Sequence, residues 1–332
     1  MKKSIKFCLI LFFIAALFTG CSDKRTASPA DPAAVHSGLY VDGTALRTAS
    51  GEQVVLRGIN HAHCWYRSED ETAFAAIADT GANCIRIVCA CGIQWEADTA
   101  ESIAAAIERA RELGMLSIVE VHDGTGDNSI ETLKSIGDFW CGLSDVLAGT
   151  EGYCIVNIAN EWCGKHNADT WKDGYTGVIP MLRGAGIKNV IMVDAPGWGQ
   201  YGKAFGKTGI DIFESDPERN TMFSVHMYGF SGGSERSIRA HLNAGLERNL
   251  CVCVGEFGYT HSDGDVKEDY LMQYCTEQDI GYLAWSWKGN SGGVEYLDLA
   301  SEWDGSVLSA DWGENAVNGK YGIRATSKKI LN

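Results

Sequence analysis

Eight short apolar runs punctuate this chain, and none of them alternates with polar residues. They occupy residues 54–60, 84–89, 116–122, 153–160, 189–194, 222–228, 251–256 and 281–287. Between them, apolar residues recur at three- and four-residue spacing over 69–80, 101–113, 129–148, 168–185, 234–248 and 266–278. That spacing gives a helix one buried face. A strand with no polar face must be covered on both sides, which is the habit of parallel sheets. Eight such strands alternating with helices predict an α/β chain closed into a (β/α)8 TIM barrel. An open doubly wound sheet is the alternative. It wants a glycine-rich phosphate loop after its first strand, and Gly58-Ile59-Asn60-His61 is not one. Ahead of the barrel, Asp42-Gly43 sits between β-rich stretches within 39–56 and predicts an N-terminal β-hairpin.

The first residues concern where the barrel works. Lys2, Lys3 and Lys6 precede the apolar run 7–18, which is short for a membrane span and ends in Thr19-Gly20-Cys21. This resembles a bacterial lipoprotein signal peptide over 1–20, with Cys21 as the lipidated residue; an ordinary secretory signal is the alternative. Residues 21–37 are small, polar and proline-containing and read as a flexible tether, leaving 38–332 as the (β/α)8 domain. The expected location is outside the cytoplasm, lipid-anchored to the cell envelope at the outer membrane or cell surface. The formal charge is −15, and −18 once residues 1–20 and their three lysines are gone. A surface so acidic repels phosphate backbones, so nucleic acid is excluded as a partner, whereas an uncharged polymer is tolerated. Ten cysteines lie beyond Cys21, five of them (Cys84, Cys89, Cys154, Cys251, Cys253) inside the apolar runs, where a thiol serves as a small hydrophobe. Buried thiols are expected, with one or two disulfides among the rest. No Cys-x-x-Cys pair occurs, which argues against a zinc ribbon or a thioredoxin-like centre.

A barrel does its chemistry on the loops that follow its strands. Read in order, the strand ends carry Asn60, Arg86, His122 with Asp123, Asn160 with Glu161, Asp194, His226 with Tyr228, Glu256, and Trp285. Solubility alone does not place a hydrogen-bonding residue at the end of every apolar strand. Glu161 and Glu256 dominate the set. They end the fourth and seventh strands, which face each other across the mouth, so both carboxyls can point at one bond. Glycoside cleavage uses such a pair: one carboxyl protonates the leaving oxygen while the other attacks the anomeric carbon or activates water. Arg86 could keep one of them ionised while burial raises the other.

These residues resemble clan A of the glycoside hydrolases, and Arg86, His122, His226-x-Tyr228 and Trp285 narrow the likeness to family 5. The stretches 57–63, 120–126, 157–162, 194–200, 224–229, 254–265 and 282–290 are similar to the bacterial endo-β-1,4-mannanases of that family. The resemblance spans roughly residues 38–327. It implies a retaining double displacement with Glu161 as acid/base and Glu256 as nucleophile, and no cofactor or metal. It also implies a substrate-binding set of Arg86, His122, Asn160, Trp198, His226, Tyr228 and Trp285. Within that set Asn160 meets the sugar 2-hydroxyl, Tyr228 and Arg86 orient Glu256, His226 supports Glu161, and Trp285 floors the cleavage subsite. The expected partner is β-mannan or a related neutral polysaccharide, and the expected state is a monomer. Trp65, Trp95, Trp162 and Trp287 divide between core and cleft. Three rival readings remain: a cellulase of the same family, a non-catalytic glycan-binding lipoprotein, and a metal-dependent hydrolase built on His61-Ala62-His63.

Overall fold

A computed structural model describes residues 25–30 and 35–331. The expected signal peptide and Cys21 lie outside the described residues. Three short strands come first, β1 (Tyr40–Asp42), β2 (Ala45–Arg47) and β3 (Gln53–Val54). β1 and β2 form the hairpin expected around Asp42-Gly43, and β3 extends it to a three-stranded sheet. Seven barrel strands follow: β4 (Arg57–His61), β5 (Cys84–Cys89), β6 (Leu116–Val121), β7 (Cys154–Asn157), β8 (Val190–Asp194), β9 (Thr221–Met227) and β10 (Val252–Phe257). A small hairpin, β11 (Thr260–His261) and β12 (Gly264–Asp265), decorates the loop after β10. β13 (Gly281–Ala284) then closes the ring between β10 and β4, with every pairing parallel. All residues of these eight strands are buried.

The covering helices start where short polar side chains can satisfy their free N–H groups. Thr99, Ser129, Asn167 and Ser234 each accept from a backbone N–H in the first turn of the helices Ala100–Glu112, Ile130–Gly142, Ala168–Gly184 and Glu235–Leu246. Helices Asp70–Asp79 and Glu268–Glu277 complete the expected set. The helix expected over 129–148 is two pieces. Leu143 leaves helical geometry just after Gly142, a poor helix former, and the turn restarts as Ser144–Leu147. Trp140, Trp162, Trp171, Trp287 and Trp312 are all within 1% of full burial. Each stabilises the fold by roughly 1.5–3 kcal/mol or more through the apolar area it removes from water. The ten cysteines from Cys64 to Cys275 are free thiols, so the disulfides expected among them do not form.

Residues 25–30, expected within a flexible tether, are instead laid against the barrel. Arg25 pairs with Asp211 and Glu214 of the helix Ile210–Ser215. Ala27 is buried; its N–H donates to the Arg248 carbonyl, and its own carbonyl accepts from Asn249 Nδ2. Backbone groups fix this strap, and composition alone does not reveal that. Arg248 and Asn249 lie just before β10, so the strap crosses the end of the barrel where strands begin.

Candidate active site

At the opposite end, where the strands finish, a cleft of about 1020 Å³ opens. Glu161 and Glu256 both line it, with His122, Asn160, Trp198, Tyr228 and Trp285. The two glutamates reach it by different routes. β10 slips register between Val254 and Glu256 against β9. Gly255 makes the slip sterically possible, because a Cβ there would lie 2.2 Å from Ser224 Oγ. The bulge re-aims Glu256 into the mouth. β7, by contrast, stops at Asn157 rather than at 160, and the chain leaves the ladder. Glu161 then takes φ +46°, a left-handed conformation that costs about 1–3 kcal/mol for a side chain of this kind. Asp194 offsets that strain by accepting the Glu161 N–H at 3.0 Å.

β7 and β10 are separated by β8 and β9, so the two acids sit three places apart around the ring rather than diametrically opposed. One carboxylate oxygen of each, with a ring nitrogen of His226, lies within 4.8 Å of the others. Their surroundings differ in kind. Glu256 is held at both oxygens: Arg86 Nη1 donates to Oε1 at 2.7 Å and the Tyr228 hydroxyl donates to Oε2 at 2.9 Å. Glu161 receives one bond, from His226 Nδ1 to Oε1 at 2.7 Å. Burial raises the Glu161 carboxyl above its ordinary value, and the Glu256 charge adds to that, against the pull of His226. Burial disfavours charge on His226, yet Glu256 and Asp194 outweigh it and push the ring up to about 10. A cationic His226 donating to Oε1 leaves Oε2 of Glu161 as the place for an acid proton.

Arg86 and His226, counted in the substrate-binding set as the partners of Glu256 and Glu161, bond those two carboxyls but do not line the cleft. Both are fully buried behind the cleft wall. Every Arg86 nitrogen donates to protein: Nε to Asn157, Nη1 to Asn60 and Glu256, Nη2 to Asn157 and Asn160. They position the carboxyls. His122, Asn160, Trp198, Tyr228 and Trp285 do line the cleft. Trp198 is 51% exposed and rests on Gly126, where a Cβ would come within 2.1 Å of its ring. The indole is thus backed by Gly126 while half of the side chain stays exposed at the cleft. Of the four uncertain tryptophans, Trp162 and Trp287 are core while Trp65 and Trp95 line the cleft.

Two strand-end acids turn out to be scaffolding. Asp194 sits beneath the site, also accepting from Asn157 Nδ2 at 3.2 Å, and the flanking positive charges hold its carboxyl well below the usual range despite burial. Asp123 accepts the backbone N–H groups of Cys91, Gln94 and Trp95 and so shapes the loop carrying Trp95. The sequence reading overlooked Asn157, which locks Arg86, and Thr125, which accepts from Asn160 Nδ2 at 2.9 Å. Asn157 stands inside an apolar run, and that break in pattern is the signal that could have found it. His61 and His63 form no part of the cleft. Both bond Asp70, and His63 Nε2 also meets Ser102. They pin the first loop to the helix behind it. Among the described residues, the set whose donor atoms cluster tightly enough for a cation is Glu161, His226 and Glu256. There Arg86 already supplies positive charge, and His226 is held protonated.

Known proteins resemble this chain along most of its length. Residues 48–291 match the model of the cellulase family, glycosyl hydrolase family 5. A mannan endo-1,4-β-mannosidase of Salipaludibacillus agaradhaerens is 47% identical over 88% of this chain and 94% of its own. One from Streptomyces lividans is 40% identical over 89% of this chain and 77% of its own. The structure of a β-mannanase from Thermomonospora fusca superposes with a TM-score of 0.83 at 36% identity, covering 89% of this chain and 98% of that one. On the pair of glutamates, the barrel that presents them and these likenesses, the chain belongs to glycosyl hydrolase family 5.

Proposed function

We propose that this protein is a retaining endo-β-1,4-mannanase. The observation that carries the reading is the pair of carboxyls, close enough to share one acetal and placed in opposite electrostatic settings. Retaining enzymes hold their carboxyls ~5–5.5 Å apart, whereas a water attacking from the far side needs ~6.5–9.5 Å. In the first step Glu256 attacks the anomeric carbon as Glu161 passes its proton to the departing oxygen. The sugar is then bound covalently to Glu256. In the second step Glu161, now a carboxylate, takes a proton from water, and that water displaces Glu256 and restores the acid. Asn160 faces the sugar 2-hydroxyl, and Trp285 lies under the ring.

Internal cleavage follows from where the aromatic residues stand. Trp65 and Trp95 follow β4 and β5, while Trp198 and Phe230 follow β8 and β9, half-way round the ring. A polymer chain can therefore rest on rings at both sides of the scissile bond. Mannan is favoured over cellulose by the relatives, several of which bear mannanase names. Digestion of mannan, glucomannan, cellulose and xylan tests this. Manno-oligosaccharides should dominate, with little action on carboxymethylcellulose, and the reverse ranking overturns the assignment. The basic start, short apolar run and small residues before Cys21 support lipidation at that cysteine and attachment to the cell envelope. A Cys21→Ser variant should leave the membrane fraction; if it partitions like the wild type, the anchor is elsewhere.

A further inference from the structure

Trp285 lines the cleft beside His122, with the two ring centres 5.7 Å apart and their planes at 22°. Its main chain is held on both sides. The Trp285 N–H donates to the Phe257 carbonyl, and the Trp285 carbonyl accepts from Trp312 Nε1 at 2.9 Å. The indole keeps its own torsions, and its one polar atom is Nε1, which can only donate. That hydrogen goes to Asn290 Oδ1 at 2.9 Å.

Asn290 stands in a glycine-rich loop. Gly289, Gly292 and Gly293 all take positive φ, and a Cβ at either of the last two would meet nothing within 4 Å. Such a stretch loses much chain entropy on ordering, so bonds must hold it in place. At its start the Tyr66 hydroxyl donates to the Gly289 carbonyl at 2.9 Å. Asn290 itself is held from Asp298, which follows the short turn Glu295–Leu297. Asp298 Oδ1 accepts the Asn290 backbone N–H at 2.9 Å and its Nδ2 at 2.7 Å. The other amide hydrogen reaches Ser286 Oγ at 3.0 Å.

These partners leave the amide one orientation. A carboxylate only accepts and an indole N–H only donates, so Nδ2 faces Asp298 and Oδ1 faces Trp285. Turning the amide over would set N–H against N–H and oxygen against oxygen. Asp298 does not itself line the cleft, whereas Asn290 and Trp285 do. What Asp298 does to the cleft therefore passes through Asn290.

We infer that Asp298 is a positioning residue for glycoside hydrolysis: through Asn290 it fixes the rotation of the Trp285 indole beneath the sugar at the cleavage subsite. The inference rests on the hydrolase reading, which fails separately if the wild-type enzyme does not cleave mannan. The test sets Asp298→Ala beside Asp298→Asn. Alanine removes both bonds to Asn290, while asparagine keeps an oxygen that can accept them. In Asp298→Ala, kcat on mannan should fall about 10–100-fold, because a misplaced floor serves the distorted ring poorly. KM should stay within about threefold, since Trp65, Trp95 and Trp198 still line the cleft. Asp298→Asn should keep kcat within about threefold of the wild type. Equal losses in the two variants, a loss confined to KM, or no loss in Asp298→Ala overturns the inference. Solvent exchange of the indole N–H groups, read by NMR, gives an answer that does not depend on activity. The Trp285 Nε1–H should exchange slowly in the wild type and in Asp298→Asn, and fast in Asp298→Ala. A wild-type Trp285 Nε1–H that exchanges as fast as that of the exposed Trp198 overturns the inference even if Asp298→Ala fails to fold.

Discussion

Glu256→Ala is expected to lower kcat on mannan by about 10⁴-fold or more, because the first step then has no nucleophile. Binding should change little, since Glu161, Asn160 and the tryptophans that line the cleft remain. The vacated space lies beside Arg86 and Tyr228, whose donors lose their acceptor. A small anion such as azide is suited to that space. With an aryl mannoside carrying a good leaving group, added azide should restore turnover and give the α-mannosyl azide, inverted by a single displacement. Undiminished activity, or a β-azide product, would remove Glu256 from the role of nucleophile.

Glu161→Ala should fail differently. The loss on mannan is again large, about 10²–10⁴-fold, because a poor leaving oxygen departs unprotonated. On an activated aryl mannoside the first step should stay fast, since that leaving group needs no proton. The covalent intermediate then accumulates, because nothing activates water. Azide should intercept it from the side Glu161 occupied, giving the β-azide, of retained configuration. The pH profile sharpens the contrast. Glu161 works as an acid only while it holds its proton, and burial with the Glu256 charge raises its carboxyl. Wild-type activity therefore declines as the pH climbs past that raised value, and the Glu161→Ala profile on the activated substrate lacks this alkaline decline. An unchanged alkaline decline in the variant would assign the acid to another group.

The barrel was legible because burial on both faces leaves a plain mark: eight runs without polar alternation. The pairing of Glu161 and Glu256 at the cleft was legible for the same reason, as charges that end such runs. What escaped is what pattern does not record. The departure of residues 158–161 from the β7 ladder depends on the left-handed turn at Glu161, and an apolar count over 153–160 continues straight through it. Asp194 and Asp123 look like Glu161 in sequence, yet their oxygens are committed to backbone and neighbouring side chains. Only coordinates separate a carboxyl facing substrate from one facing its own chain. The contact of Arg86 with Glu256 was legible, but not that Arg86 stays behind the cleft wall, its length letting it reach Glu256 without entering the cleft. Residues 25–30 carry the composition of a linker, and the bonds that fasten them are made mostly by partners more than 180 positions away.

That fastening sets a direction. With Arg25 and Ala27 seated beside the strand beginnings and the glutamates at the strand endings, residues 25–30 and the cleft lie at opposite ends of the barrel. A tie to any surface through the first residues would turn the groove outward. Substrate fibres of any length could then slide across it without meeting the support behind.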